Sequence, residues 1–250
     1  MSYPQFFAES VLATANVFTA VLEPEESRHI KVRRIKPGER ICVSTQDKRY
    51  EVSFVKLEGE VLVGSDVRIL PEPERPHIAL FQGVSKGERF DLVVRVATEL
   101  GIPELYPLMS ERCIVQFENQ QKARTKQRRW EAIALSAAKL SGITRPMTVY
   151  APIDLDTAIV AAQMYDLVVV AWEEAGEFSL RQAIEDAGPG ASVALFIGPE
   201  GGFSFREIER LQAIGAKVIT LGDTILRTET AGIVASALLS YELGGLGNRR

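Results

Sequence analysis

The stretch Leu195-Phe196-Ile197-Gly198-Pro199-Glu200-Gly201-Gly202-Phe203-Ser204-Phe205-Arg206-Glu207 runs from an apolar strand through a glycine loop into a helix. Ser204 and Glu207 stand at capping-box spacing, and Phe203 and Ile208 at the spacing of a hydrophobic staple, so a helix start is predicted at this point. Gly198, Gly201 and Gly202 let the backbone turn sharply and let a ligand lie against main-chain donors with no Cβ in the way. Taken alone, such a loop also suits a plain structural turn, since glycine loops at strand ends are common. A Walker-type phosphate loop would end in Gly-Lys-Ser/Thr, and here Phe203 follows Gly202. A dinucleotide fold would need an acidic residue beyond a second strand and further parallel strands after it. Asp223 imitates the acid, but only Val218–Leu221 follows as a strand. There remains a pairing with a second loop, Leu221-Gly222-Asp223-Thr224-Ile225-Leu226-Arg227-Thr228-Glu229-Thr230-Ala231, before the last helix.

Upstream of the glycine loop, strand patterns at Ile78–Gln82, Glu104–Pro107, Met147–Tyr150 and Leu167–Trp172 alternate with helices, and with Val193–Ile197 and Val218–Leu221 they give the rhythm of an α/β domain with a mainly parallel sheet. Ser85 and Glu88 are expected to form a capping box ahead of the apolar stripe Phe90, Val93, Val94, Ala97 and Leu100, with Gly101 as the stop. Trp130, Ile133, Ala134 and Ala137 repeat the helical spacing. Residues 1–70 read differently, with strands at Arg40–Ser44, Tyr50–Leu57 and Val61–Leu70 and one short helix around Pro24–Arg33, a pattern that suggests a small β-barrel. Three prolines in Pro71-Glu72-Pro73-Glu74-Arg75-Pro76 suit neither helix nor central strand. We therefore expect domains at 1–70 and 78–250 joined by a linker at 71–77.

With 250 residues, 46% of them apolar and 25% charged, the chain can bury a sizeable core, and disorder or a fibre is excluded. No apolar run approaches the roughly 18 residues of a membrane span, and no leader pattern opens the chain, so a cytoplasmic location is expected. Two cysteines, Cys42 and Cys113, and two histidines, His29 and His77, support neither a disulfide framework nor a zinc cage, and no metal is expected. His29 reads as a partly buried, satisfied histidine, Cys113 as a small apolar residue on a strand, and Trp130 and Trp172 as core. Net charge is −4, yet Arg28, Lys31, Arg33, Arg34, Lys36 and Arg40 crowd one segment, and Lys122, Arg124, Lys126, Arg128 and Arg129 another. Such runs suit either a polyanion or plain solvation.

The two loops together, G-P-E-G-G-F-S and L-G-x-x-I-L-R-T-E-T-A, resemble the 16S rRNA (uracil-N3)-methyltransferase family, RsmE, of the SPOUT superfamily. His29–Gly38, Lys86-Gly87-Glu88-Arg89, Thr98-Glu99-Leu100-Gly101 and Pro107–Arg112 agree with it, so the resemblance covers nearly the whole chain. It implies a PUA-like N-terminal barrel that binds RNA, a C-terminal α/β domain with a deep trefoil knot, and a homodimer acting on 16S rRNA in the small ribosomal subunit. The implied activity is transfer of a methyl group from S-adenosylmethionine to N3 of a uridine in the decoding region. By the same transfer, Phe196, Ile197, Gly198, Pro199, Glu200, Gly201 and Gly202 from one loop would hold the cofactor. Leu221, Gly222, Ile225, Leu226, Arg227, Thr228, Thr230 and Ala231 from the other would complete the site.

For catalysis, Arg227 is expected to fix the target phosphate or a uracil oxygen, and Glu229 to anchor Arg227 or the loop backbone. A competing role for Glu229 is a first-turn carboxylate stabilised by the helix dipole. Arg28, Lys31, Arg33, Arg34, Arg112, Lys122, Arg124, Lys126, Arg128 and Arg129 are the expected RNA contacts. The sequence departs from the family pattern at Lys139, Leu140 and Ile143, where Glu, Gln and Arg are usual, and at Arg95, where Lys is frequent. Two other readings stay open: a SPOUT methyltransferase acting on another rRNA target such as a ribose 2′-OH, and a non-catalytic rRNA-binding assembly factor.

Overall fold

The computed structural model describes residues 3–14, 17–45, 48–71, 75–176, 178–185, 187 and 190–247. Of the proline segment, Glu72, Pro73 and Glu74 lie outside the described residues. The chain divides into two compact units, Met1–Pro73 with Ala138–Pro146, and Glu74–Ala137 with Met147–Arg250. Nothing in the sequence had pointed to the short second piece of the first unit.

In the first unit, β1 (Gln5–Ala13), β2 (Phe18–Leu22), β3 (Arg40–Ser44), β4 (Arg49–Glu58) and β5 (Val61–Leu70) close into a barrel in the order β1-β2-β5-β4-β3. Antiparallel pairs make up the barrel except where β1 meets β3 in parallel, Gln5 opposite Cys42. Phe6, Phe18, Leu22, Ile41, Val52 and Leu62 fill its interior. The short helix α1 (Pro24–Arg33) opens on a proline and ends where Arg34 takes the left-handed conformation, φ 54°. Buried Glu26 on α1 forms an ion pair with Lys139. His29 accepts a hydrogen bond from Arg33 Nε at 3.1 Å, and burial, followed by the Arg33 charge, lowers its pKa below the usual 6.5.

The second unit is built on a parallel sheet. Its strands are β6 (Ile78–Gly83), β7 (Glu104–Met109), β8 (Thr148–Val149), β9 (Ile153–Asp154), β10 (Leu167–Ala171), β11 (Val193–Ile197) and β12 (Lys217–Ile219). They run in the order β12-β10-β11-β6-β7-β8, with β9 also paired to β7. Every residue of β6 and β11 is buried, as expected for a parallel sheet covered on both faces. On one face, α2 (Glu88–Glu99), α3 (Gln120–Ser141), α5 (Leu180–Ile184) and α7 (Thr228–Glu242) contribute Phe90, Trp130, Leu180 and Leu239 to a shared core. On the other, α4 (Leu155–Ala162) and α6 (Phe205–Ala213) contribute Ala158 and Leu211. Full burial of side chains such as Phe90, Val93 and Val94 stabilises by about 1.5–3 kcal/mol each.

Two local expectations need correction. The capping box at Ser85 and Glu88 does not form: α2 starts at Glu88 from a Gly87 with φ 73°, and Ser85 Oγ is buried with no hydrogen-bond partner among the described residues. Cys113 lies in a turn rather than a strand, where its Sγ is 3.4 Å from the Ser110 amide.

Candidate functional site

The segments following β10, β11 and β12 leave the sheet at the carboxyl ends of their strands, the edge where open parallel sheets hold ligands. There they enclose a cavity of about 550 Å³. Its wall takes Ile197 to Gly202 from the glycine loop, Thr220 to Glu229 and Ala231 from the second loop, Ala171 to Glu173 after β10, and Arg89 from α2.

The glycine loop has the shape its sequence demands. The Gly202 amide donates to Pro199 O at 3.0 Å, closing a turn in which Gly202 has φ 65°. The helix that follows is capped as expected. Ser204 Oγ accepts from the Glu207 amide at 3.4 Å, while Glu207 Oε2 accepts from the Ser204 amide at 2.8 Å. Phe203 and Ile208 are buried in one cluster. The segment after β7 braces the same corner: Glu111 Oε2 accepts from Ser204 Oγ, and Arg112 Nη1 donates to Gly201 O at 3.0 Å.

A buried hydrogen-bond relay ties the loops together. Gln82, at the end of β6, donates from Nε2 to Thr228 Oγ1 at 2.8 Å, and Thr228 Oγ1 donates to Gly198 O at 2.5 Å. Beside it, a Cβ on Gly83 would come within 2.3 Å of Pro199 N, so β6 and the glycine loop touch backbone to backbone. Neither Gln82 nor Gly83 was among the expected site residues, because a lone Gln-Gly at a strand end carries no signal in one sequence.

Arg89 organises the carboxylates. Glu200 Oε1 accepts from the Lys86 amide at 2.9 Å and from Arg89 Nη1 at 3.4 Å, while Arg89 Nε lies 3.9 Å from Glu229 Oε1. The second carboxylate oxygen of Glu200 and that of Glu229 are buried with no hydrogen-bond partner among the described residues. Glu229 thus faces Arg89, and among the described residues it forms no ion pair with Arg227, one of the two anchoring partners expected for it. It also sits in the first turn of α7, where the helix dipole favours it. Arg227 is exposed on the cavity wall.

Of the expected cofactor residues, Phe196 and Thr230 do not line the cavity. Phe196 is fully buried, stacked at 4.4 Å on Phe81, because side chains alternate along a strand and Ile197 takes the other face. Thr230 is exposed. Trp172, expected as core, is half-buried on the wall and donates to Phe203 O at 3.3 Å. Glu173 was missed, although its place just beyond a parallel strand is a signal the sequence did carry.

The basic residues are exposed as expected: Arg28, Lys31, Arg33 and Arg34 at α1, and Lys122, Arg124, Arg128 and Arg129 on α3, with Lys126 half-buried. Lys122 pairs with Glu118 and Arg129 with Asp91. None of the departing positions lines the cavity: Lys139 pairs with Glu26, Leu140 is exposed, and Ile143 is buried, its carbonyl accepting from Gln5 Nε2 at 2.7 Å.

Fold and cavity define an α/β protein that takes a small ligand at the carboxyl edge of a parallel sheet. Comparison with known proteins says which one. A family model described as RNA methyltransferase domain matches residues 72–240. Ribosomal RNA small subunit methyltransferase E of Bacillus subtilis is 33% identical over 232 residues, covering 87% of this chain and 88% of that protein. The protein of the same name from Mycobacterium bovis is 32% identical over 243 residues, covering 92% and 88%. The crystal structure of ribosomal RNA small subunit methyltransferase E from Neisseria gonorrhoeae bound to S-adenosyl methionine, 26% identical, matches 96% of this chain and 98% of that one with a TM-score of 0.80. The chain belongs to the RNA methyltransferase domain family and, within it, to the ribosomal RNA small subunit methyltransferase E family.

Proposed function

We propose that this chain uses S-adenosylmethionine to methylate N3 of a uridine in the decoding region of 16S rRNA within the small ribosomal subunit. The observation that carries the reading is the single cavity shared by both loops. Its fit to the cofactor rests on three features: a volume inside the roughly 300–1,000 Å³ of small-molecule sites, a glycine cradle open to main-chain donors, and the partnerless oxygens of Glu200 and Glu229, which can accept from hydroxyl or amine groups. The Neisseria gonorrhoeae relative is solved with that molecule.

When bound, the cofactor supplies an electrophilic methyl group on a sulfonium, to which uracil N3 bonds as the sulfur–methyl bond breaks. The protein must align the reacting atoms at roughly 3–3.5 Å and provide for the N3 proton. Ile197–Gly202, Leu221, Gly222, Ile225, Leu226, Thr228 and Ala231 hold and orient the donor. Arg227 fixes a target phosphate or a uracil oxygen, and Glu229 offers its free oxygen as a proton acceptor. A base on its Watson–Crick edge is reachable only when unpaired, so the uridine enters the site splayed from the RNA.

The basic faces of α1 and α3, with Arg112, are the proposed RNA contacts. We further propose that the closed barrel is PUA-like, with domains at 1–70 and 78–250, that α7 completes a deep trefoil knot, and that the chain works as a homodimer in the cytoplasm, where ribosomes assemble. Tyr241 and Leu238 on α7, 60% and 43% exposed, support the dimer. Nucleoside mass spectrometry of 16S rRNA tests the reading: deletion should remove N3-methyluridine and the intact gene restore it. An unchanged nucleoside, or loss of a ribose methyl group instead, would refute it.

A further inference from the structure

We infer that Glu173 makes the cavity discriminate by charge, holding the cationic methyl donor and releasing the uncharged product. The inference rests on the proposal that S-adenosylmethionine occupies this cavity, and it concerns a residue to which that proposal gives no role.

Glu173 follows β10 and lies against the glycine loop so closely that a Cβ on Gly202 would come within 2.0 Å of its Oε1. Its charge is uncompensated: among the described residues no hydrogen bond or ion pair holds it, whereas Glu200 and Glu229 share Arg89. With Asp223 the wall carries four carboxylates against the guanidiniums of Arg89 and Arg227. The partnerless oxygen of Glu229, a residue 8% exposed, is a second and independent sign that this wall awaits a donor or a cation.

Chemistry says which ligand gains. S-adenosylmethionine carries a sulfonium and an ammonium against one carboxylate, a net charge of +1. S-adenosylhomocysteine has lost the sulfonium charge and is net neutral. The two share adenine, ribose, ammonium and carboxylate, so contacts to those groups hold both alike, and what tells them apart is the methyl group and the positive charge at sulfur. Glu173 is exposed on the cavity wall, and an unpaired carboxylate there attracts a cation held beside it, the more so at low salt. Transfer of the methyl group removes that attraction, so the reaction itself loosens the spent ligand.

Calorimetric titration of the full chain with each ligand tests this. The wild type should bind S-adenosylmethionine at least tenfold more tightly than S-adenosylhomocysteine, and Glu173→Gln should weaken the donor about tenfold while leaving the product within twofold. Glu173→Asp should keep most of the preference. In the wild type, raising salt should weaken the donor more than the product. If Glu173→Gln weakens both ligands equally, or neither, the discrimination is refuted while the cavity assignment stands. If the wild type binds neither ligand, the cavity assignment itself fails and this inference with it. A thermal melt of the Gln variant matching the wild type shows that the comparison is made between folded proteins.

Discussion

Thr228 joins two halves of the site through one buried hydroxyl, accepting from Gln82 and donating to Gly198. Thr228→Val removes the hydroxyl at nearly constant shape and strands a buried amide and a buried carbonyl. It should cost about 1–3 kcal/mol in urea unfolding, with Thr228→Ser recovering most of the loss. A loss below about 0.5 kcal/mol would show that the relay bears no strain of folding. Arg227 is the opposite case. Being exposed, it contributes little to stability, and Arg227→Ala should leave the melting temperature within experimental scatter. If it faces developing charge in the reaction, kcat should fall by about 10²–10³. Unchanged kcat together with unchanged RNA affinity would remove it from the chemistry.

For α6, every cue in the sequence agreed, and the structure shows the box, the staple and the turn together. Ser204→Ala should destabilise by about 1–2 kcal/mol, because the hydroxyl caps the helix and also donates to Glu111. The box at Ser85 and Glu88 had the same spacing and failed, since Gly87 between them turns to a positive φ and starts the helix without a side-chain cap. Spacing alone names a candidate cap; the backbone that carries it decides. β3, β5 and α1 were read to the residue, whereas β1 and β2 were not foreseen, as the apolar residues of β1 do not alternate and its pairing with β2 carries a bulge between Ala8 and Ser10. On α3, Arg124 and Arg128 have no ion pair among the described residues, unlike Lys122 and Arg129. Replacing Arg124 and Arg128 with Ala should flatten the logarithmic salt dependence of rRNA binding by about 1–2 units. An unaltered slope would place the RNA on another face.

The cavity belongs wholly to the second unit, and so do both tryptophans, Trp130 and Trp172. Tryptophan fluorescence therefore follows the unfolding of that unit alone. S-adenosylmethionine at a hundred times its dissociation constant should stabilise it by about 2.7 kcal/mol, raising the fluorescence melt by roughly 5–10 °C. A melt that does not move would place the ligand elsewhere. The alternation of strands and helices was readable because each element carries its own periodicity, whereas the order β12-β10-β11-β6-β7-β8 is a set of long-range choices with no local mark. For the same reason the two loops could be named from the sequence, but Gln82 and Arg89, which hold them, came only with the fold, and Glu173 was marked only by its place just beyond a strand.

The relay beside the pocket joins Gln82, Gly198 and Thr228, positions far apart along the chain. A ribosome must therefore have released most of this polypeptide before any of it can recognise a ligand, because the last long helix brings the final piece. Nascent or truncated chains ending before that helix are blind to the methyl donor, and such distant partners find one another slowly. Competence to modify RNA arrives in one step, at the close of folding.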